Sequence, residues 1–87
     1  MTTVRFPRLL DAATGGRRRI EVAGGTIGSV MDAVLTEIPG LRVHLFDHMG
    51  RLRPHVMCFV DGRADRLSDP DLPVTGEVRF LQAVSGG

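Results

Sequence analysis

Apolar and polar positions alternate at the start of the chain, where Val4 and Phe6 are set against Arg5 and Pro7. This predicts a strand over residues 3–10. Pro7 cannot donate a ladder hydrogen bond and belongs at a strand end or on a bulge. Turn chemistry over 12–16, carried by Thr14-Gly15-Gly16, leads into a second alternating run over 18–23. There Ile20 and Val22 face one way, Arg19 and Glu21 the other. The two runs predict a β-hairpin. The period then changes. Past Gly24-Gly25, Thr26 stands as a helix N-cap, since its hydroxyl can accept an orphan backbone N–H. Ile27, Val30, Met31, Val34, Leu35 and Ile38 follow at the i, i+3, i+4, i+7 spacing of a single buried helical stripe. Pro39-Gly40 ends that helix. Residues 41–47 predict a short helical turn, with Leu41, Leu45 and Phe46 tucked under the domain.

Period two returns over 55–60, placing Val56, Cys58 and Val60 on one face and Met57 and Phe59 on the other. Asp61-Gly62 is a tight-turn signal into a short strand over 63–67. Pro70, Pro73 and Gly76 make 68–76 a loop. A last strand over 77–84 runs into Ser85-Gly86-Gly87. A lone helix with one apolar stripe must cover one face of a sheet, so the order predicts a two-layer α+β domain over 1–84 with a flexible tail over 85–87.

Composition narrows the function. The chain has 87 residues, enough for one domain and too few to wall a deep catalytic cleft. Its net charge of +1 argues against a dedicated nucleic-acid binder. All 11 basic residues are arginine, so no lysine amine is present for isopeptide or Schiff-base chemistry. One cysteine, Cys58, allows no internal disulfide and fits a reducing compartment; its alternation with Val56 and Val60 assigns it to core packing. The N-terminus carries no apolar core of a signal peptide. No run reaches the ~18 apolar residues a membrane span needs, and the expectation is a soluble, cytoplasmic protein.

Three histidines, His44, His48 and His55, include a pair at i, i+4, but nothing completes a metal-ligand pattern, and no metal is expected. Arg17-Arg18-Arg19 reads as a solvated turn. There is no Ser-His-Asp pattern, no P-loop and no paired-carboxylate motif, so the chain reads as a substrate of enzymes rather than an enzyme.

The element order resembles the β-grasp, ubiquitin-like fold, a mixed sheet of four or five strands with one main helix on one face. The end AVSGG (83–87) resembles the tail of ThiS/MoaD sulfur carriers. GRLRPHVMCFVDG (50–62) and TIGSVMDAVLTEIPGL (26–41) are similar to the CysO-like branch of that family. Three positions depart from its usual pattern: Gln82-Ala83 where proline is common, Ser85 for alanine, and Thr75-Gly76-Glu77 for Asp-Gly-Asp.

The resemblance implies that the Gly87 carboxylate is adenylated and then converted to a thiocarboxylate. The ATP is used by a partner, an adenylyltransferase resembling ubiquitin-activating enzymes, and the carrier holds no stable cofactor. Gly86 and Gly87, lacking Cβ, would thread a narrow channel, with Ser85 and Val84 entering behind them. Met57, Phe59, Arg79 and Leu81, on the sheet face opposite the helix, would contact the partner. The sulfur acceptor would be a PLP-dependent cysteine-synthase-like enzyme, with a metalloprotease releasing the product, or the large subunit of molybdopterin synthase. A ubiquitin-like module that is never activated, and a protein tag that forms conjugates on target lysines, are the rival readings.

Overall fold

The computed structural model describes residues 1–82. Five strands, β1 (Thr2–Arg5), β2 (Arg19–Val22), β3 (Val56–Val60), β4 (Arg63–Ala64) and β5 (Glu77–Gln82), form one mixed sheet in the order β2-β1-β5-β3-β4. β5 runs parallel to β1 and antiparallel to β3, so it is hydrogen-bonded along both edges. The main helix α2 (Ile27–Glu37) and two short helices, α1 (Asp11–Thr14) and α3 (Leu41–Leu45), complete the domain.

The predicted helix forms for the predicted reasons. Thr26 caps α2 by accepting the Ser29 N–H, and the Ser29 hydroxyl answers to the Thr26 N–H, which closes a capping box. The next two orphan donors are also satisfied, because Ile27 and Gly28 donate to the carbonyls of Leu72 and Pro70 at 2.9 and 2.8 Å. Gly28 permits that approach; a Cβ there would sit 3.1 Å from Pro70. Ile27, Val30, Met31 and Val34 are buried. They pack in one core with Val4, Val56, Val78 and Phe80 of the sheet.

The chain departs from the sequence expectation between residues 6 and 14. The strand predicted to reach Leu10 stops at Arg5, and a helical turn over Arg8–Leu10 runs into α1. The connection to β2 is therefore a helical detour and not a tight hairpin turn. Pro7 withdraws a ladder donor, while Leu10 and Thr14, one helical turn apart, both bury. Gly15, at φ 69°, caps α1 in the left-handed region that glycine adopts without strain. The strand predicted over 63–67 is also shorter and ends at Ala64. Beyond it Leu67 takes a positive φ of 58°, and Arg66 reaches back to donate to the carbonyls of Leu52, Arg53 and Val56.

The Asp61-Gly62 turn forms with both residues at positive φ, 49° and 84°. Asp61 also acts as a latch. Its carboxylate accepts the N–H groups of Thr75, Gly76 and Glu77 at 2.8, 2.8 and 2.9 Å and the Thr75 hydroxyl at 3.0 Å, fixing the entry to β5. These donors, the Thr75 N–H first, favour the charged form and pull its pKa from 3.8 to about 2. A depressed folded-state pKa gives stability that is present above the unfolded value of 3.8 and is lost as pH falls through about 2. Asp61→Asn is therefore expected to lower the urea midpoint at pH 7 and to flatten its decline between about pH 4 and 2. Identical midpoint-against-pH curves for the two proteins would refute the latch.

Candidate functional site

Alternation along β5 and its neighbours separates the sheet into two faces. Val4, Val56, Cys58, Val60, Val78 and Phe80 point into the core. The side chains of the other face fall into three rows across the strands. Glu21, Thr3 and Glu77 form the row farthest from the chain end. Arg19, Arg5, Arg79, Phe59 and Ala64 form the middle row, each opposite the next. Leu81 and Met57 face each other in the row closest to the chain end.

These rows differ sharply in chemistry. Leu81 and Met57 are 39% and 43% exposed, an apolar pair left in solvent beside the root of the tail. Phe59 is half-buried. In the middle row Arg5 and Arg79 share one carboxylate, Glu77, which Arg5 hydrogen-bonds and Arg79 approaches to 3.4 Å. The Arg5 bond, and then Arg79, hold the Glu77 carboxyl below the usual range. Arg19 is exposed and makes no ion pair among the described residues.

Met57, Phe59, Arg79 and Leu81, the contacts expected from sequence, thus come together on one face. Val84, Ser85, Gly86 and Gly87 lie outside the described residues. Two further members of the face, Arg5 and Arg19, are not among the expected contacts. Their parity opposite Val4 and Ile20 is the available signal, but their adjacency requires the strand order. The Arg17-Arg18-Arg19 run is divided by the fold. Arg17 turns to Glu37 at 3.4 Å, Arg18 binds Asp11 through two bonds of 2.8 and 2.9 Å, and only Arg19 joins the sheet face.

The remaining candidates sit elsewhere. Cys58 is 2% exposed, and burial first, then the nearby Asp65 charge, push its thiol up to about 12. Buried in the core cluster and held protonated, the thiol packs as a small hydrophobe. His44 and His48 do not share a helical face, because α3 ends at Leu45 and the backbone turns extended at Phe46. Among the described residues no three His, Cys, Asp or Glu side chains are grouped to hold a metal, and no helix is long and apolar enough to cross a membrane.

No family profile matches the chain. Curated relatives do. The sulfur carrier protein CysO of Mycobacterium tuberculosis is 30% identical over 95 aligned positions, covering 98% of this chain and 97% of the relative. The chain belongs to the CysO-like sulfur carriers. Solved structures agree with that placement. The matching chain in the Amycolatopsis orientalis BexX/CysO complex superposes on the CysO-like chain with a TM-score of 0.83 at 26% identity, each covered completely. SAMP1, a small archaeal modifier protein of Haloferax volcanii, superposes with a TM-score of 0.74 at 27% identity over 99% of this chain and 98% of its own. The expected β-grasp architecture and CysO-like branch are thereby established, with the five-stranded mixed sheet as the scaffold.

Proposed function

We propose that this chain carries sulfur as a thiocarboxylate on Gly87 and delivers it to an enzyme of cysteine biosynthesis. The observation that carries the reading is the position of β5. The last described strand is the middle strand of five, bonded on one side to β1 and on the other to β3, and it ends at Gln82, five residues before Gly87. A chain end rooted in the most constrained strand can be presented to a partner without disturbing the domain. Membership among the CysO-like carriers supports the same reading.

The chemistry is that of a group carrier. A Gly87 carboxylate oxygen attacks the α-phosphorus of ATP on an adenylyltransferase of the ubiquitin-activating type, and pyrophosphate leaves. A hydrosulfide-level sulfur nucleophile then attacks the acyl carbon, the bond to AMP breaks, and a proton is released, leaving –C(=O)S⁻. That sulfur forms a C–S bond at the β-carbon of an activated amino acid on a PLP-dependent cysteine-synthase-like enzyme as the activating group leaves. The amino group then takes the acyl carbon from sulfur, and a metalloprotease hydrolyses the resulting amide with one water, freeing the thiol amino acid and restoring the Gly87 carboxylate. ATP and PLP belong to the partners in this scheme, and the carrier holds neither.

The test is mass spectrometry of the full chain after incubation with its adenylyltransferase, ATP and a sulfide source. A gain of about 16 Da, the exchange of one oxygen for sulfur, is the expected result. An unchanged mass with a competent enzyme overturns the reading in favour of a ubiquitin-like module that is never activated.

Similarity to SAMP1 favours one second reading, a protein modifier joined through Gly87 to lysines of other proteins. Its signature would be conjugates on target proteins. The chain could not be its own lysine acceptor, since it has none.

A further inference from the structure

We propose that the outer sheet face recognises its adenylyltransferase through an acidic strip on that enzyme, set apart from the apolar contact and on the side away from the nucleotide. This rests on the carrier reading and specifies the partner surface it requires.

The three rows of the sheet face carry the inference. Arg19, Arg5 and Arg79 stand directly opposite one another on β2, β1 and β5. Strands lie about 4.8 Å apart, so the row spans roughly 10 Å. Like charges placed directly opposite across strands weaken a sheet, and this sheet holds two such pairs in succession. One carboxylate, Glu77, serves both Arg5 and Arg79, leaving an excess of positive charge in the row. An arrangement that opposes sheet stability yet sits on the solvent face is where function is expected to override local preference.

Order along β5 fixes the orientation. Glu77, Arg79 and Leu81 follow each other towards the chain end. The partner's catalytic centre must lie where the tail leads. Its apolar contact with Leu81 and Met57 is therefore nearest that centre, and its acidic strip lies about 7 Å farther out, two residues along the strand. Where β5 runs on past the end of β1, a shallow hollow of about 200 Å³ is lined by Arg5, Phe6, Arg79, Phe80 and Leu81, with Arg18, paired to Asp11, at its edge. The net charge is only +1 and the excess of positive charge is confined to one short row, so a protein surface bearing a few carboxylates fits this face where a long polyphosphate backbone does not.

The experiment uses the adenylyltransferase that thiocarboxylates the wild-type chain, with association followed by stopped flow between about 20 and 300 mM salt. The wild-type association rate is expected to fall at least about 10-fold over that range. Arg19→Gln combined with Arg79→Gln is expected to lower the low-salt association rate by about 10-fold and flatten the salt dependence. Arg8→Gln with Arg42→Gln removes the same charge away from the sheet face and should alter the rate less than about 2-fold. Thermal unfolding of both doubles checks that each is folded, glutamine having kept most of the arginine stem. Equal effects of the two pairs, or a salt-independent wild-type rate, overturn the acidic strip while leaving the carrier reading intact. A wild-type chain that gains no sulfur overturns both.

Discussion

Chains lacking Gly87 are expected to gain no sulfur under conditions that convert the full chain completely. Truncation leaves Gly86 with a carboxylate of the same chemistry, so intrinsic reactivity is not what is lost. What changes is reach. One extended residue spans about 3.3–3.6 Å, and the new terminal carbon stops that far short of the nucleotide. Adenylation requires the attacking oxygen within about 3–3.5 Å of phosphorus, and misplacement of only about 1 Å can lower a rate 10²-fold. A shortfall of a whole residue is thus expected to cut the rate by more than about 10³-fold. Mass spectrometry after a fixed incubation reads this directly. Gly86→Ala should be slowed but not silenced, because the reach is kept and only a Cβ is added in the channel. If the truncated chain acquired about 16 Da as fast as the intact one, Gly87 would not be the sulfur-bearing residue.

The largest stability effect is expected at Phe80, one position before an exposed residue of the outer sheet face. Phe80 is fully buried on β5 and its ring stacks parallel to Phe6, with centroids 6.2 Å apart and planes within 4°. Phe80→Ala removes that ring and leaves a cavity between two layers, at about 3–5 kcal/mol. A chain of this length has only about 4–13 kcal/mol of total stability. With a urea slope of about 1 kcal/mol/M, the midpoint is expected to fall by roughly 3 M or more. Leu81→Ala, the next residue, points to the opposite face and should cost under about 1 kcal/mol. Its expected effect is on association with the adenylyltransferase, the partner that the proposed function sets against the apolar pair. Comparable midpoint losses for the two variants would contradict the face assignment on which the functional site depends.

Much of this fold is legible in the sequence. The spacing from Ile27 to Ile38 and the Thr26 cap are local signals, and α2 follows them within a residue at each end. The parity of Val56, Cys58 and Val60 against Met57 and Phe59 matches the observed burial of β3. Asp61-Gly62 turns as its composition requires, since positive φ is strained for most other pairs. The segment from Pro7 to Gly15 misleads because Leu10 fits both a strand and a helical turn. Pro7 at the entry and Gly15 at the exit are the helix signals, and burial of Leu10 with Thr14 decides between the two.

By itself, then, the sequence determined the helix, the inward and outward parity of each strand and the Gly-Gly end, because each depends on neighbours a few positions apart. Only the tertiary structure decided that β5 lies between β1 and β3 and that Arg19, Arg5 and Arg79 stand in one row. The physical reason is that strand order and register are fixed by backbone hydrogen bonds and core packing between distant segments. Arg5 and Arg79 sit near opposite ends of the chain, and no local pattern could bring them side by side.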